Sequence, residues 1–312
     1  MKRIQYHQYG GPQTMRLEDF TLGDPDKGQV AVKVKFAAVN PIDWKLRQGQ
    51  MKIVTGNAFP RAMGMDFSGT VLAVGPGVTR FKAGDAVFGM ARLKQGGAFG
   101  DAVITNEGFM ARKPDAVSFE NAACLATPGV TAWNGLVDKA RLRSGQQVFI
   151  NGCTGGVGEA AVQIALMQGA KVSGSCSAGA MQRARALGLD EVYDYRTTDF
   201  SKLGRQFDVV YDTAATMPTA VGFSLLRGKG VFLDLNPSPG KFLRALVNRR
   251  FRLVICSATA GVLDRLAQAA SDGHLRLPIA EIVQLNDAAR LVADLEGGKK
   301  ISGKGLIAME PV

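Results

Sequence analysis

The chain has 312 residues, 46% hydrophobic and 21% charged, a composition that excludes a disordered or fibrous protein and leaves room for two cores. No apolar run reaches the roughly 18–20 residues that span a bilayer, and MKRIQYHQYG lacks the apolar stretch of a signal peptide, so a cytoplasmic protein is expected. Four scattered cysteines without a C-x-x-C pair and only two histidines argue against zinc, while the net charge of +11 raises two kinds of partner, nucleic acid or an anionic cofactor.

In chain order, the first ~120 residues alternate short apolar stretches with turn residues. QVAVKVKFAAVN, MDFSGTVLAVGPGV and GDAVFGM read as strands, with turns at Gly75-Pro76-Gly77 and Gly84-Asp85. This predicts a compact β-rich domain rather than βαβ units. From Ser118, FENAACLATPGVTAWNGLVDKA has helical period, and Pro128-Gly129 is expected to break or kink it. Strands and helices then alternate. VFIN, KVSGSCS, EVYDY, FDVVYDT, GVFLDL and LVICSA are the strand candidates, with AAVQIALMQGA, AMQRARALG and VLDRLAQAASDG as helices among them. The alternation predicts a parallel sheet covered by helices on both faces. Leu253 to Leu263 is expected to run from a buried strand into a loop or helix, and GKGLIAME to form a last strand that returns to the first domain.

The first strand of that series leads into Asn151-Gly152-Cys153-Thr154-Gly155-Gly156-Val157-Gly158. The pattern G-x-G-x-x-G fails as a string, because Cys153 stands in its first place. Gly155 and Gly158 fill the second and third places, where backbone approaches pyrophosphate and helix meets sheet. Gly152, one position early, could make the turn in a shifted loop, and the N–H groups that open the next helix would face an anion. The alternative is a tight β–α turn with no ligand. Cys153 is expected to pack in the interior, or to be oxidation-sensitive if the helix N-terminus stabilises its thiolate. The densest basic cluster, Arg249-Arg250-Phe251-Arg252 with Arg244 before it, reads as a solvated helix end, and nucleic acid is not expected as a partner.

Five segments in order resemble the medium-chain dehydrogenase/reductase superfamily, in its zinc-independent quinone oxidoreductase branch, which includes the zeta-crystallin-like reductases. They are NPIDWKLRQG from Asn40, GMDFSGTVLAVGPGVTRFKAGDAVFG, PGVTAWNGL, NGCTGGVGEAAVQIA and RALGLDEVYDYR. The likeness covers nearly the whole chain. It implies an α/β fold in which a Rossmann doubly wound parallel sheet domain is joined to a GroES-like β-rich catalytic domain. Residues 1–120 would be catalytic, 121–262 NADP-binding and 263–312 a return to the catalytic domain, with NADPH and substrate in the cleft and a homodimer as the assembly. In the zinc-dependent branch, metal ligands lie near Asn40 to Asp43 and in a Gly-His-Glu segment. Here that segment reads Gly64-Met65-Asp66, so no metal is expected.

The resemblance places Asn40 on the nicotinamide side, Thr131 in a helix that approaches the cofactor, and Gly155, Gly156, Val157 and Gly158 at the pyrophosphate. Ala214 would line the ribose, Asn236 would lie beside the nicotinamide, and Tyr195 near the adenosine phosphate. The second strand ends Gly174-Ser175-Cys176-Ser177-Ala178 without an acid, and a carboxylate there would repel a 2′-phosphate; Ser177 could donate to it. Arg183 or Arg196 could supply charge or be merely solvated. Lys304 in ISGKG could contact the cofactor or sit in a solvated turn. Asn40, Asp43 and Arg47 are the catalytic candidates by position, with Asp66 near them; Asp43 could instead cap a helix begun by Trp44-Lys45-Leu46, and Asp66 could be a structural acceptor. Trp44, Met51, Phe59 and Met63 could wall a substrate site or pack a core.

The resemblance implies hydride transfer from NADPH to a quinone or an α,β-unsaturated carbonyl, whose conjugation spreads the charge without a metal. Two other readings stay open. One is an enoyl-thioester reductase; the other is a non-catalytic NADPH- or RNA-binding protein, since fold alone does not settle function.

Overall fold

The computed structural model describes residues 1–310. Two compact units emerge, one from Met1–Thr127 with the chain from Ala258 onward, the other from Pro128–Ser257. The first opens with β1 (Lys2–Tyr6), β2 (Arg16–Asp19), β3 (Gln29–Ala38), α1 (Pro41–Arg47), α2 (Lys52–Thr55), β4 (Arg61–Ala62) and β5 (Asp66–Val74). It continues with β6 (Ala86–Met90), β7 (Ala102–Asn106), β8 (Met110–Arg112) and α3 (Phe119–Ala123), and α4 (Ala126–Trp133) carries the chain into the second unit. There follow β9 (Gln147–Asn151), α5 (Gly156–Met167), β10 (Lys171–Cys176), α6 (Met181–Ala186), β11 (Glu191–Asp194), β12 (Phe207–Asp212), α7 (Thr219–Leu225), β13 (Leu226–Asp234), α8 (Pro239–Val247) and β14 (Phe251–Leu253). The chain returns to the first unit as α9 (Ala260–Ser271), β15 (Ile279–Gln284), α10 (Ala288–Glu296) and β16 (Lys304–Ala308).

The first unit is the β-rich one. A seven-stranded sheet runs β15-β16-β3-β5-β6-β8 with β7 also on β3, beside a three-stranded sheet β2-β1-β4. Val30, Val32 and Val34 of β3 are buried among Phe67, Phe99 and Ile307, so β-branched and aromatic side chains fill the pleated surface they suit. The last strand does return: β16 lies antiparallel to β3, Leu306 opposite Ala38.

In the second unit all six strands are parallel, in the order β11-β10-β9-β12-β13-β14. The runs Val148–Ile150 and Val209–Tyr211 are wholly buried, as a sheet covered on both faces requires. Strand order reverses at β9, from which the chain winds first one way and then the other. Such a switch point leaves a crevice at the carboxyl ends of the strands.

Two sequence expectations need correction. Pro128-Gly129 does not break the helix. The break falls earlier, where Cys124 caps α3, so Pro128 sits in the first turn of α4 and its missing N–H costs no intrahelical bond. LVICSA is not a strand; β14 covers Phe251–Leu253, and its neighbour β13 ends at Asp234, opposite Leu253, so the chain beyond has little left to pair with. No helix among the described residues is long and apolar enough to cross a membrane.

Candidate active site

In the first unit, the register of β3 creates a buried polar cluster. Ala38 stands opposite Asp66 of β5 on one side and Leu306 of β16 on the other, which brings Asn40, Asp66 and Lys304 together. Asn40 leaves β3 with extended backbone (φ −132°, ψ 154°) and becomes the N-cap of α1, with Pro41 pre-set for the first helical position. Its Nδ2 donates to Asp66 Oδ2 at 2.9 Å and to the Ala38 carbonyl at 3.2 Å. Lys304 Nζ donates to Asn40 Oδ1 at 2.6 Å and to the Val39 carbonyl at 2.7 Å. Asp66 also accepts the Thr127 backbone N–H at 2.9 Å and its hydroxyl at 2.6 Å, and is thus the structural acceptor that one reading allowed.

Asp43 accepts the backbone N–H of Asn40 at 2.7 Å from the third position of α1. It is not the cap of a helix begun at Trp44: the helix starts at Pro41, and Asp43 reaches back to its first turn. Burial pushes the Asp43 carboxyl up to about 8, the Asn40 N–H opposing and the Asp66 charge adding to the rise. Burial likewise lifts Asp66 to about 6, against the Thr127 hydrogen bonds and the Lys304 charge, and lowers the Lys304 ammonium's pKa. Asp43 Oδ1 is buried without a hydrogen-bond partner, an environment that suits a neutral carboxyl.

Arg47 stands apart from this cluster. Its guanidinium is 0% exposed, paired with Glu296 of α10 and donating to the Gly10 carbonyl at 2.8 Å, so it ties α1 to α10. Trp44, Phe59 and Met63 pack in or against the core of the first unit, and Met51 caps α2.

In the second unit the glycine turn sits at the carboxyl end of β9. Gly152, at φ +78°, makes the sharp turn that the first glycine of the pattern would make, and a Cβ on it would lie 2.9 Å from Ala214 Cβ. Gly158 admits no side chain, since its Cβ would fall 2.0 Å from the Gly152 carbonyl oxygen. Gly155 has no such crowding and is exposed with Gly156, which leaves open backbone where α5 begins. Cys153 turns inward and is buried; desolvation drives its thiol far up, which removes the thiolate reading.

The other expected cofactor residues gather along the same sheet edge. Ser177 follows β10, Ala214 follows β12 and Asn236 follows β13. The Tyr195 backbone N–H bonds the Cys176 carbonyl at 3.1 Å, which sets Tyr195 beside Ser177, and Arg196 stacks on the Tyr195 ring at 5.6 Å. Arg183 is engaged beneath the turn instead, donating to the Thr154 carbonyl at 2.7 Å and lying 3.8 Å from Glu159. Thr131 is buried in α4, its carbonyl accepting the Tyr211 hydroxyl at 2.9 Å.

Sequence reasoning missed one set. Ser175 Oγ donates to Asn151 Oδ1 at 2.6 Å, Asn151 Nδ2 donates to Asp212 Oδ1 at 2.7 Å, and Asp212 accepts the N–H of Met217 at 2.8 Å. This buried line crosses the ends of three strands and shapes the loop that holds Ala214, including Ala215 at φ 58°. Its trace in the sequence is one polar residue at or near the end of each apolar strand.

The alcohol dehydrogenase GroES-like domain model matches residues 26–115, and the zinc-binding dehydrogenase model matches residues 187–307. A chloroplastic quinone-oxidoreductase homolog of Spinacia oleracea is 32% identical over 77% of this chain and 76% of its own length. The quinone oxidoreductase structure from Coxiella burnetii superposes with a TM-score of 0.90 at 29% identity, covering 99% of both chains. The Escherichia coli quinone oxidoreductase complexed with NADPH gives 0.84 at 26% identity, over 99% of this chain and 100% of that one. A zinc ion, which one of these family names implies, does not fit the donors present. Among the described residues no three His, Cys, Asp or Glu side chains gather, and the Asn40 amide oxygen is already bonded to the Lys304 ammonium. The chain belongs to the medium-chain dehydrogenase/reductase family, among its quinone oxidoreductases.

Proposed function

We propose that this protein is an NADPH-dependent reductase that passes a hydride to a quinone or an α,β-unsaturated carbonyl without zinc. The observation that carries the reading is the glycine turn at the switch point, where Gly152 bends the chain and Gly158 lets α5 close on β9. The backbone of Gly155, Gly156, Val157 and Gly158 would hold the pyrophosphate at the start of α5. Ser177 and Tyr195, with Arg196 stacked on it, would meet the 2′-phosphate, and no carboxylate follows β10 to repel that charge. Ala214 would line the ribose, and Thr131 and Asn236 would serve the nicotinamide; Asn40 is the cofactor candidate of the first unit. When bound, the nicotinamide supplies the hydride. Asp43, holding a proton near neutrality, is the acid of the Asn40 cluster, and Arg47 supports α1 from behind. The same reading makes the protein a cytoplasmic homodimer.

The test follows absorbance of NADPH and NADH with 1,2- and 1,4-quinones, short enones and enoyl-thioesters, after fluorescence titration of each nucleotide. Turnover of quinones or enones with NADPH at least tenfold above NADH is the expected result. Tight binding without turnover on any acceptor would make the protein a nucleotide-binding one, and preference for thioesters would move the substrate class.

A further inference from the structure

We infer that Asp212 is a positioning residue for the nicotinamide half of the dinucleotide: it folds the loop after β12 into one strained shape that presents Ala214 beside the glycine turn. Asp212 is 1% exposed, and its carboxylate gathers three donors. Oδ1 accepts Asn151 Nδ2 at 2.7 Å and the Thr216 N–H at 3.3 Å, and Oδ2 accepts the Met217 N–H at 2.8 Å. Those two backbone groups lie four and five residues further on, so the chain must double back between them and β12. At its near end the loop is held by Thr213, whose N–H and hydroxyl both donate to the Asn151 carbonyl, at 3.1 and 2.6 Å. With both ends tied, the reversal falls on Ala214 and Ala215, and Ala215 takes the left-handed backbone (φ 58°) that a residue with a Cβ adopts only under constraint.

The loop closes on the turn where the turn lacks a side chain. A Cβ on Gly152 would lie 2.9 Å from Ala214 Cβ, and one on Gly158 would lie 2.9 Å from the Thr213 hydroxyl. The Asp212 carboxylate orients its neighbour as well: it can only accept, which turns Asn151 Nδ2 toward it and leaves Asn151 Oδ1 to the Ser175 hydroxyl at 2.6 Å. Asn151 Nδ2 gives its second proton to Thr216 Oγ1 at 3.1 Å, back in the same loop. Strands β10 and β11 lie on one side of β9 and β12 to β14 on the other, so a dinucleotide laid across that switch point has one half on each side. The assignment of the halves rests on the reductase reading above: with the 2′-phosphate at Ser177 after β10, the nicotinamide ribose meets the loop after β12. Releasing the loop therefore weakens the hold on the nicotinamide half and spares the adenosine half.

The test compares titrations of the full chain with NADPH and with adenosine 2′,5′-bisphosphate, which is the adenosine half alone. Asp212→Asn keeps the size of the side chain but sets an NH2 group against N–H donors whichever way it turns. NADPH affinity should fall about 30-fold, while that for adenosine 2′,5′-bisphosphate stays within about twofold. Adding Ala215→Gly should recover about tenfold of that loss, because glycine takes the left-handed backbone without strain and the loop keeps its shape on fewer bonds. A general scaffold role would move both ligands together. If Asp212→Asn does not fold, Ala215→Val decides: it leaves the carboxylate in place but disfavours the left-handed turn further, and should lower NADPH affinity about tenfold with the smaller ligand unaffected. Equal loss for both ligands, no loss of NADPH affinity, or no recovery with Ala215→Gly would each overturn the inference. Wild type that binds NADPH but not adenosine 2′,5′-bisphosphate would overturn the division of the crevice on which it stands. Wild type that binds neither would overturn the reductase reading and this role with it.

Discussion

At the scale of single residues, Asp43 offers a pH test of the cluster. Below about 4 the carboxyl is protonated in both folded and unfolded chains and has no net effect on stability. Between that point and about 8 the folded chain keeps a proton that the unfolded chain has lost, so stability falls as pH rises, and the loss is complete above about 8. Asp66 acts in the same direction but is exhausted near 6. From pH 6 to 8, urea unfolding of the wild type should therefore lose about 2 kcal/mol more than that of Asp43→Asn, which has no charge to bury. Equal slopes would place the Asp43 pKa outside this window. Gly158→Ala tests the turn: with 2.0 Å to a carbonyl oxygen the new methyl must move backbone, so NADPH affinity should fall at least about 100-fold by titration, with a loss of about 1–3 kcal/mol in stability. The need for glycine at 158 was legible in the sequence, because it follows from helix and strand meeting one turn apart. The role of Lys304 was not, because it comes from a partner 264 residues away that only the β3 and β16 register supplies.

Elements show the same division. The glycine turn, the parallel strands and the returning β16 could be read because each rests on local pattern, period and punctuation. The α3 and α4 break could not be placed from Pro128 alone, since a proline in a first turn is harmless and a proline in mid-helix is not. Arg47 looked like a catalytic cation from its place near Asn40, yet its charge answers Glu296 on α10, 249 residues on. That pair gives a prediction for the contact between α1 and α10. Arg47→Met leaves the Glu296 charge mostly buried with no cation to answer it, only the Gln48 amide still donating, and should cost about 3 kcal/mol in urea unfolding. Arg47→Met with Glu296→Leu should recover most of that loss, because an apolar pair of similar volume has no charge to desolvate. A single variant as stable as wild type would show that the strut carries little.

For the whole molecule, charge and exposed apolar surface make opposite demands on salt. With +11 overall, attraction of a nucleotide bearing several phosphate charges should weaken as ions screen it, so the Kd for NADPH should rise between 20 and 300 mM KCl. Self-association should respond the other way. Helix α8 has no buried residue, and Leu246 and Val247 on it are 82% and 78% exposed, next to β14, the open edge of the six-stranded sheet. An unpaired edge and an apolar helix face side by side suit a second copy of the chain, paired edge to edge. Asp234 answers Lys241, but between Asp234 and Asp264 the chain also carries Arg244, Arg249, Arg250 and Arg252 and no acid, so two such surfaces repel until salt screens them. Sedimentation velocity should show a dimer that tightens between 20 and 300 mM KCl, and Leu246→Asp should leave a monomer that still binds NADPH. A monomer at every salt concentration, or a dimer indifferent to Leu246→Asp, would assign this face to another partner.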